Sequence, residues 1–399
     1  MNLEHFRQSS SGRLVEVPHG GRPYAAFVPN HLPPRLAIDL ELLRRATEAS
    51  YALGELAALG RRLANPHLLI GPFIRREAVS SSRIEGTQAD MADLYAFEAG
   101  QLALPGFATV PPAGDVREVM NYVAATEYAL ERLSSLPMSL RLVREAHARL
   151  MEGVRGGRAM PGEFRDRQNY IGSDQDDVYN ASYVPPPVSE MVPALDALER
   201  YINRVEDQYP PLVRLAFVHY QFEAIHPFID GNGRMGRLLI TLLLVDWGLL
   251  PLPLLYLSAY FDRHRDRYCD LLQAVSEYGS WREWVDFFLD GVTQQANDAN
   301  QRIKEIEDLQ ADWEHRLSGL GRSTASLRLA HSLLAAPILT IPQAQKLLGV
   351  TYPAAQKSVE RLAQAGILRP VGEVRYGRAY MAEELLSILM RPLAHPDRS

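Results

Sequence analysis

The segment from His226 to Arg237 constrains this chain more than any other stretch of its length. It reads His-Pro-Phe-Ile-Asp-Gly-Asn-Gly-Arg-Met-Gly-Arg, so a base, an acid, a glycine-rich turn and two arginines share one short loop. Helical patterns flank the loop, with Pro211–Ile225 before it and the apolar run Leu238–Leu250 after it. We therefore expect the loop to lie at the junction of two packed helices.

The residue types in this loop predict a site for phosphate groups. Its glycines allow consecutive N–H groups to point at one place, and the positive end of the next helix adds to that anion site. Arg234 and Arg237 are three residues apart, so both are expected on one side of the first helical turn, where guanidinium groups fit phosphate oxygens. Asp230 suits a Mg²⁺ ion that bridges phosphates. Since His226 can accept a proton near neutral pH, the loop predicts a nucleoside polyphosphate site with a base for an attacking hydroxyl.

Three other interpretations of the loop compete with this one. Its Gly-x-Gly-x-x-Gly spacing fits a dinucleotide fingerprint, but a helical pattern precedes it and the first acid downstream, Asp246, comes too early. Glu223 and His226 have the spacing of a di-iron ligand pair, but the other Glu-x-x-His of the chain contains Pro18 and is not helical. In the third interpretation the histidine only caps a helix. The seven matched polar or glycine positions in the loop argue against this interpretation.

The segment resembles the motif of the Fic family, His-Pro-Phe-x-Asp-Gly-Asn-Gly-Arg-x-x-Arg, with no departures. The resemblance implies a mainly α fold, a helical bundle core with a β-hairpin flap, that transfers AMP from ATP, with Mg²⁺, to a Ser, Thr or Tyr hydroxyl of a target protein. It implies that His226 is the general base, Asp230 the metal ligand, Arg237 the partner of the terminal phosphate, and Phe228 a packing residue. The nucleotide-binding residues that it implies are Gly231, Asn232, Gly233, Arg234, Met235, Gly236, Arg237 and Tyr268.

A second segment, nearer the N-terminus, is similar to the family's inhibitory motif. Ser81, Glu85 and Gly86 have its spacing, which implies that Glu85 pairs with Arg237 and keeps the terminal phosphate from that arginine. The competing interpretation is an ordinary helix end with a solvated glutamate.

A third segment, residues 160–187, has aromatic and β-branched residues bounded by Gly, Asp and Asn, a pattern typical of a hairpin. It resembles the family's flap, which implies that Ser182, Tyr183 and Val184 hold the target by main-chain pairing. An ordinary long loop is the competing interpretation.

Four regions are predicted along the chain. Residues 1–104 form an N-terminal arm and a helical region that carries the inhibitory motif, and residues 105–300 form the core domain. A connecting helix at 301–322 leads to a winged helix-turn-helix domain at 323–399, with Ile367–Arg369 and Val374–Tyr376 as the two strands of its wing. This last region has nine basic and five acidic residues, a balance of +4 on a chain of net charge −6, which permits DNA binding.

Composition narrows the class of protein. The single cysteine, Cys269, excludes a disulfide within the chain, and no apolar run is long enough to cross a membrane. Residues 1–13 lack the apolar segment of a signal peptide, so a cytoplasmic location is expected, with no membrane partner. A homodimer stays open.

Two functions remain at this point. One is an adenylyltransferase held off by Glu85, and the other is a DNA-binding regulator in which the Fic fold senses nucleotide with little turnover. The intact His226 and Asp230 favour the enzyme, because a sensor needs no base. Gly233 favours transfer of AMP, since relatives that transfer phosphate have lysine there. Removal of AMP, with Glu85 aligning a water, stays open.

Overall fold

The computed structural model describes residues 1–62, 66–98, 113–154, 160–173, 175–205, 207–321, 323–371 and 378–391. Within these ranges the chain is mainly helical, with two small antiparallel sheets, which confirms the predicted fold class. No helix in the described ranges is long and apolar enough to cross a membrane. The predicted wing strand Val374–Tyr376 and the predicted boundary at 104 and 105 lie outside the described residues.

The N-terminal arm consists of helix α1 (Leu3–Gln8) and a hairpin of strands β1 (Gly12–Val17) and β2 (Tyr24–Pro29). The predicted N-terminal arm thus begins with a short helix, α1, that the sequence did not indicate. The N–H of Phe27 in β2 donates to the carbonyl of Val184, 2.9 Å away. The arm therefore packs against the segment that was predicted to be the flap.

Three helices follow, α2 (Leu40–Arg62), α3 (Pro66–Ile84) and α4 (Met91–Glu98). A short non-helical segment that includes Glu85 and Gly86 divides α3 from α4. The division has a local cause, because Gly86 has a φ of +99°, in the left-handed region that ends a helix.

The core is a bundle built around a buried pair of helices. Its helices are, in chain order, α5 (Ala113–Leu133), α6 (Leu140–Leu150), α7 (Val188–Ile202), α8 (Pro211–Ile225), α9 (Asn232–Asp246), α10 (Ser258–Arg263), α11 (Arg265–Tyr278) and α12 (Trp281–Gly319). Helices α8 and α9 are buried on nearly all sides. Helix α12 packs on α2 and α8, where the indole N–H of Trp284 donates to the carbonyl of Ala216 at 2.9 Å.

Helix α9 differs from the predicted Leu238–Leu250 at both ends. It begins at Asn232, inside the motif, because Gly231 adopts a φ of +78° and reverses the chain just before it. It ends at Asp246, shortly before Gly248 with a φ of +67°. The glycine-rich turn and the first helical turn are therefore one continuous structure.

The C-terminal region contains α13 (Thr324–Ser332), β3 (Ile338–Thr340), α14 (Ile341–Leu348), α15 (Tyr352–Gln364), β4 (Arg369–Val371), β5 (Ala379–Met381) and α16 (Glu383–Met390). Strand β5 lies between β3 and β4, antiparallel to both. The sequence indicated a winged helix-turn-helix domain with two wing strands in this region, but not β3 or α16. Helix α12 is a single helix of 39 residues that continues past residue 300 to Gly319. The predicted connecting helix is therefore its C-terminal part.

Candidate active site

His226 ends α8 in a left-handed conformation, with a φ of +50°. Its Nδ1 lies 3.3 Å from the carbonyl oxygen of Glu223, which can only accept, so Nδ1 carries the hydrogen and Nε2 is the acceptor. The pKa of His226 is lowered to about 4, mainly by burial; the hydrogen bond to the carbonyl of Glu223 opposes this shift, and the charge of Arg165 adds to it. The imidazole is therefore neutral at pH 7 and has the form that a general base needs.

The start of α9 has no side-chain cap, and this leaves it suited to bind an anion. A helix leaves its first N–H groups without intrahelical partners, and no side chain caps this end. The side chain of Asn232 does not extend towards a ligand, because its Oδ1 accepts from the N–H of Phe228 and its Nδ2 donates to the carbonyl of Phe228, both at 2.8 Å. Asn232 thus holds the loop in shape and has only its backbone N–H to offer to phosphate.

Arg237 and Glu85 form an ion pair across the site. Nη2 of Arg237 lies 2.5 Å from Oε1 of Glu85, and the same guanidinium donates to the hydroxyl of Ser81 at 2.9 Å and to its carbonyl at 3.0 Å. Burial raises the pKa of Glu85, but the charge and hydrogen bond of Arg237 outweigh burial and hold that pKa below its usual value. Glu85 is therefore ionised at neutral pH.

Gly233 provides the room for this pair. A Cβ at Gly233 would lie 2.3 Å from Oε1 of Glu85 and 2.9 Å from Nη1 of Arg237. Both distances are too short for a real side chain, so any other residue here would push Glu85 or Arg237 away. The glycine of the phosphate turn is thus also the glycine that admits Glu85.

The side chains of Arg234 and Met235 lie outside the cleft. We expected Arg234 on the same side as Arg237, but its Nη1 donates to Glu118 of α5 at 3.0 Å, and its side chain is 5% exposed and packs against Met151. Met235 is fully buried in the core. Both follow from the position of α9, whose first turn is covered by α5 and α6 on the side away from the cleft.

Asp230 lies in the loop between His226 and α9, with its side chain 53% exposed. Its Oδ1 accepts from the N–H of Gly231 at 2.6 Å. The described residues contain no group of three or more His, Cys, Asp or Glu side chains that could hold a metal ion. Mg²⁺ commonly binds through one or two carboxylates together with water and substrate phosphates, so a single exposed carboxylate fits such an ion.

The side chain of Tyr268 lines the cleft, but its hydroxyl is directed into the core. His219 donates from Nδ1 to the carbonyl of Gly236 at 3.2 Å, so its Nε2 accepts from the hydroxyl of Tyr268 at 2.8 Å. Only the ring of Tyr268 is therefore available to a ligand, as a face for stacking or packing.

The flap segment has less strand pairing than the predicted hairpin. Ile171 and Tyr183 exchange both of their backbone hydrogen bonds, at 2.8 and 3.1 Å, and form a single bridge. Side chains of Asp177 and Asn180 bond to nearby N–H groups, which favours turns over a longer ladder. Ser182 donates to the carbonyl of Ile171 at 2.7 Å, and its neighbours Tyr183 and Val184 are buried.

These elements line an open cleft with a cavity volume of about 330 Å³. It is lined by the end of α3, the flap, α8, α9 and α11, including Glu85, Tyr183, His226, Gly233 and Arg237. These residues are separated by up to 152 positions in the sequence and are brought together by the fold. The site thus combines a neutral imidazole, the uncapped start of a helix and a buried arginine.

Glu223 is a further residue of the cleft whose role the sequence did not indicate. Its Oε1 is buried without a hydrogen-bond partner among the described residues, and burial raises its pKa to about 7. A Cβ at Gly236 would lie 2.2 Å from this oxygen, so the glycine makes room for the carboxyl group. Its spacing to His226, considered above only for a di-iron pair, places both on the last turn of α8.

Comparison with known proteins identifies a family and relatives for this chain. Residues 43–131 match the Fic/DOC family N-terminal model, and residues 137–244 match the Fic/DOC family model. The chain is similar to the protein adenylyltransferase Fic of Aedes aegypti, with 29% identity over 213 residues, 52% of this chain and 38% of that protein. The protein of the same name from Drosophila persimilis is 28% identical over 212 residues, 52% of this chain and 37% of that protein.

The chain thus spans under 40% of the length of these curated relatives. A Fic family protein from Desulfovibrio desulfuricans G20 has a similar crystal structure, with a TM-score of 0.57 over 88% of this chain and 98% of that chain. Its sequence identity is 20%, so this likeness shows the fold alone.

Proposed function

The chain belongs to the Fic/DOC family, and on that premise we propose that it transfers AMP from ATP to a Ser, Thr or Tyr hydroxyl of a target protein. The observation that carries the proposal is His226, a neutral imidazole that lines the same cleft as Gly233 in the uncapped first turn of α9. A site that only bound nucleotide would need the anion-binding helix end but not the base.

In the proposed reaction, the target hydroxyl gives its proton to Nε2 of His226 while its oxygen attacks the α-phosphorus of ATP. A new O–P bond forms, the bond from the α-phosphorus to the bridging oxygen breaks, and pyrophosphate leaves with that bond's electrons. The start of α9 and Arg237 bind the phosphates. Asp230 would hold Mg²⁺, which when bound neutralises charge on the phosphate oxygens.

The direct test is transfer of label from [α-³²P]ATP to protein in a lysate, followed by identification of the modified residues by mass spectrometry. The matched sample uses [γ-³²P]ATP, whose label leaves with pyrophosphate in AMP transfer and stays on the protein in phosphate transfer. Label from the α-position alone supports the proposal. Tight ATP binding without any labelled protein, even after Glu85→Gly, would favour the nucleotide-sensing alternative.

Asp230→Ala should weaken the dependence of ATP binding on Mg²⁺ and lower the rate of transfer, because this carboxylate is the proposed ligand. Calorimetry of ATP binding with Mg²⁺ and with EDTA, on both proteins, measures the effect. Asp230→Asn is the matched variant, which keeps the oxygen that accepts from Gly231 but removes the charge. Equal ATP affinity with and without Mg²⁺ in the unmodified protein would contradict this role.

The low pKa of His226 predicts an unusual pH profile. A histidine with the ordinary pKa of about 6.5 has roughly tenfold less of its base form at pH 5.5 than at pH 7.5. With a pKa of about 4, His226 stays neutral over this range, so single-turnover transfer by Glu85→Gly should change little. Since Glu223, with a pKa of about 7, titrates nearby, the profile is measured again in Glu85→Gly/Glu223→Gln. A tenfold fall in both variants would show that His226 has an ordinary pKa.

Two further parts of the molecule have roles in the proposed reaction: the flap binds the target, and Glu85 regulates transfer. The target segment would pair with the flap at Ser182, because the backbone groups of Tyr183 bond to Ile171 and the carbonyl of Val184 accepts from Phe27. This pairing would bring the target hydroxyl towards His226. Glu85 holds the resting state and, as an ionised carboxylate in the cleft, is also suited to align a water for removal of AMP. The C-terminal region is proposed to be a winged helix; its binding to DNA and the homodimer remain predictions.

A further inference from the structure

Arg165 is a buried arginine whose hydrogen bonds all run to backbone carbonyls. Its side chain belongs to a residue that is 1% exposed. Nε donates to the carbonyl of His226 at 2.9 Å, and Nη2 donates to Pro186 at 2.5 Å and to Ile225 at 3.4 Å. Nη1 donates to the carbonyl of Arg167 at 3.4 Å. No carboxylate of the described residues forms an ion pair with this guanidinium, so its charge is satisfied by peptide dipoles alone.

The same stretch of chain holds the rest of the catalytic loop. The backbone N–H of Arg165 donates to Pro227 at 2.9 Å, and Nδ2 of Asn169 donates to His226 at 3.2 Å and to Phe228 at 2.8 Å. His147 accepts from the N–H of Gly162 at Nδ1, so its Nε2 carries the hydrogen and donates to the carbonyl of Asp230 at 2.9 Å. The carbonyls of residues 225 to 228 and of residue 230 are thus all held by donors from residues 147–169, helped at residue 228 by Asn232.

We propose that Arg165 is the positioning residue that couples the flap to the general base, His226. Its guanidinium joins Pro186, where the flap ends, to the carbonyls of Ile225 and His226 at the end of α8. This proposal rests on the proposed function. Arg165 touches neither nucleotide nor the reacting hydroxyl. It determines where the target segment, paired to the flap, lies relative to Nε2 of His226.

The left-handed backbone of His226 explains why the loop needs this support. A non-glycine residue with a φ of +50° is strained by its Cβ, and such a conformation persists only where surrounding contacts hold it. The bonds from Arg165 and Asn169 to the carbonyl of His226 are contacts of that kind. Lysine could not replace Arg165, because a single ammonium cannot reach carbonyls of two segments in the plane of a guanidinium.

The test uses Arg165→Met, which keeps the apolar stem and removes every donor, in the Glu85→Gly background. We expect kcat for transfer to fall by about 10²-fold, the typical result of misplacing reacting groups by about 1 Å. We expect KM for the target to rise and the Kd for ATP, measured by calorimetry, to change far less. Amide hydrogen exchange should become faster in two separated peptides, one covering residues 182–186 and one covering residues 225–231.

Arg214→Met is the matched control. Like Arg165, Arg214 is a buried arginine that donates to backbone carbonyls: its Nη2 bonds to Tyr201 at 3.2 Å and to Arg204 at 3.0 Å. It lies on α8, at the opposite end of that helix from His226. Its loss should lower the melting temperature without changing kcat of the folded protein. Arg165→Lys, which keeps the charge, should resemble Arg165→Met.

Two results would overturn the coupling role. One is an Arg165→Met protein that transfers AMP at the rate of its Glu85→Gly parent. The other is faster exchange in only one of the two peptides, which would show that the flap and the base are held independently. If no variant transfers AMP at all, the proposed function fails, and the exchange measurement still decides whether Arg165 joins the two segments.

Discussion

Replacing His226 with alanine should reduce AMP transfer by about 10²- to 10⁴-fold, the usual loss on removal of a general base. The reason is that Nε2 is the acceptor in the cleft, while Nδ1 is bound to the carbonyl of Glu223. ATP affinity should change little, because the start of α9 and Arg237 are the proposed phosphate contacts. Single-turnover transfer of labelled AMP, together with calorimetry of ATP binding, measures the two effects separately.

His226→Asn is the sharper version of this experiment. Alanine in the left-handed conformation of residue 226 carries a steric cost of its own, whereas asparagine tolerates that region and still lacks a base. Equal losses in both variants would assign the effect to the missing proton acceptor. A His226→Asn protein that transfers at the parent rate would contradict the role of His226 and leave the loop as an anion site alone.

The motif predicted the helix, loop, helix arrangement because residue types with strong local preferences mark its limits. Proline starts α8, and Gly231 supplies the left-handed turn before α9. The apolar periodicity of α2, α5 and α12 likewise depends on local spacing. Such features are encoded within a few residues of where they act, and the fold class predicted from them is confirmed.

The contacts that position the site could not be predicted in this way. The direction of Arg234 depends on Glu118, more than 100 positions earlier, and the side chain of Asn232 was expected at a phosphate but holds Phe228. Arg165 reads in the sequence as one more surface-type residue, since its acceptors are backbone carbonyls and carbonyls have no sequence signature. The hydrogen-bond partners of these side chains can be identified only in the folded structure.

Glu85→Gly should raise AMP transfer, both to targets and to the protein itself, by about 10²-fold or more. In the resting structure the carboxylate of Glu85 lies 2.5 Å from Nη2 of Arg237 and occupies the space above Gly233. A terminal phosphate would be repelled by that carboxylate and kept from its arginine, so ATP would bind with its α-phosphorus out of line for attack. Labelled-AMP transfer, compared with the Kd for ATP, should show a rate gain well above any gain in affinity.

Three further variants separate charge, space and the arginine itself. Glu85→Gln keeps the size of the side chain and removes its charge, so a smaller gain than that of Glu85→Gly would assign the difference to occupied space. Arg237→Ala should stay inactive, because it frees Glu85 but removes the partner of the phosphate, and adding Glu85→Gly to it should restore little. If Glu85→Gly bound ATP and transferred no faster than the unmodified protein, Glu85 would not be inhibitory, and its bond to Arg237 would only fix the end of α3 to α9.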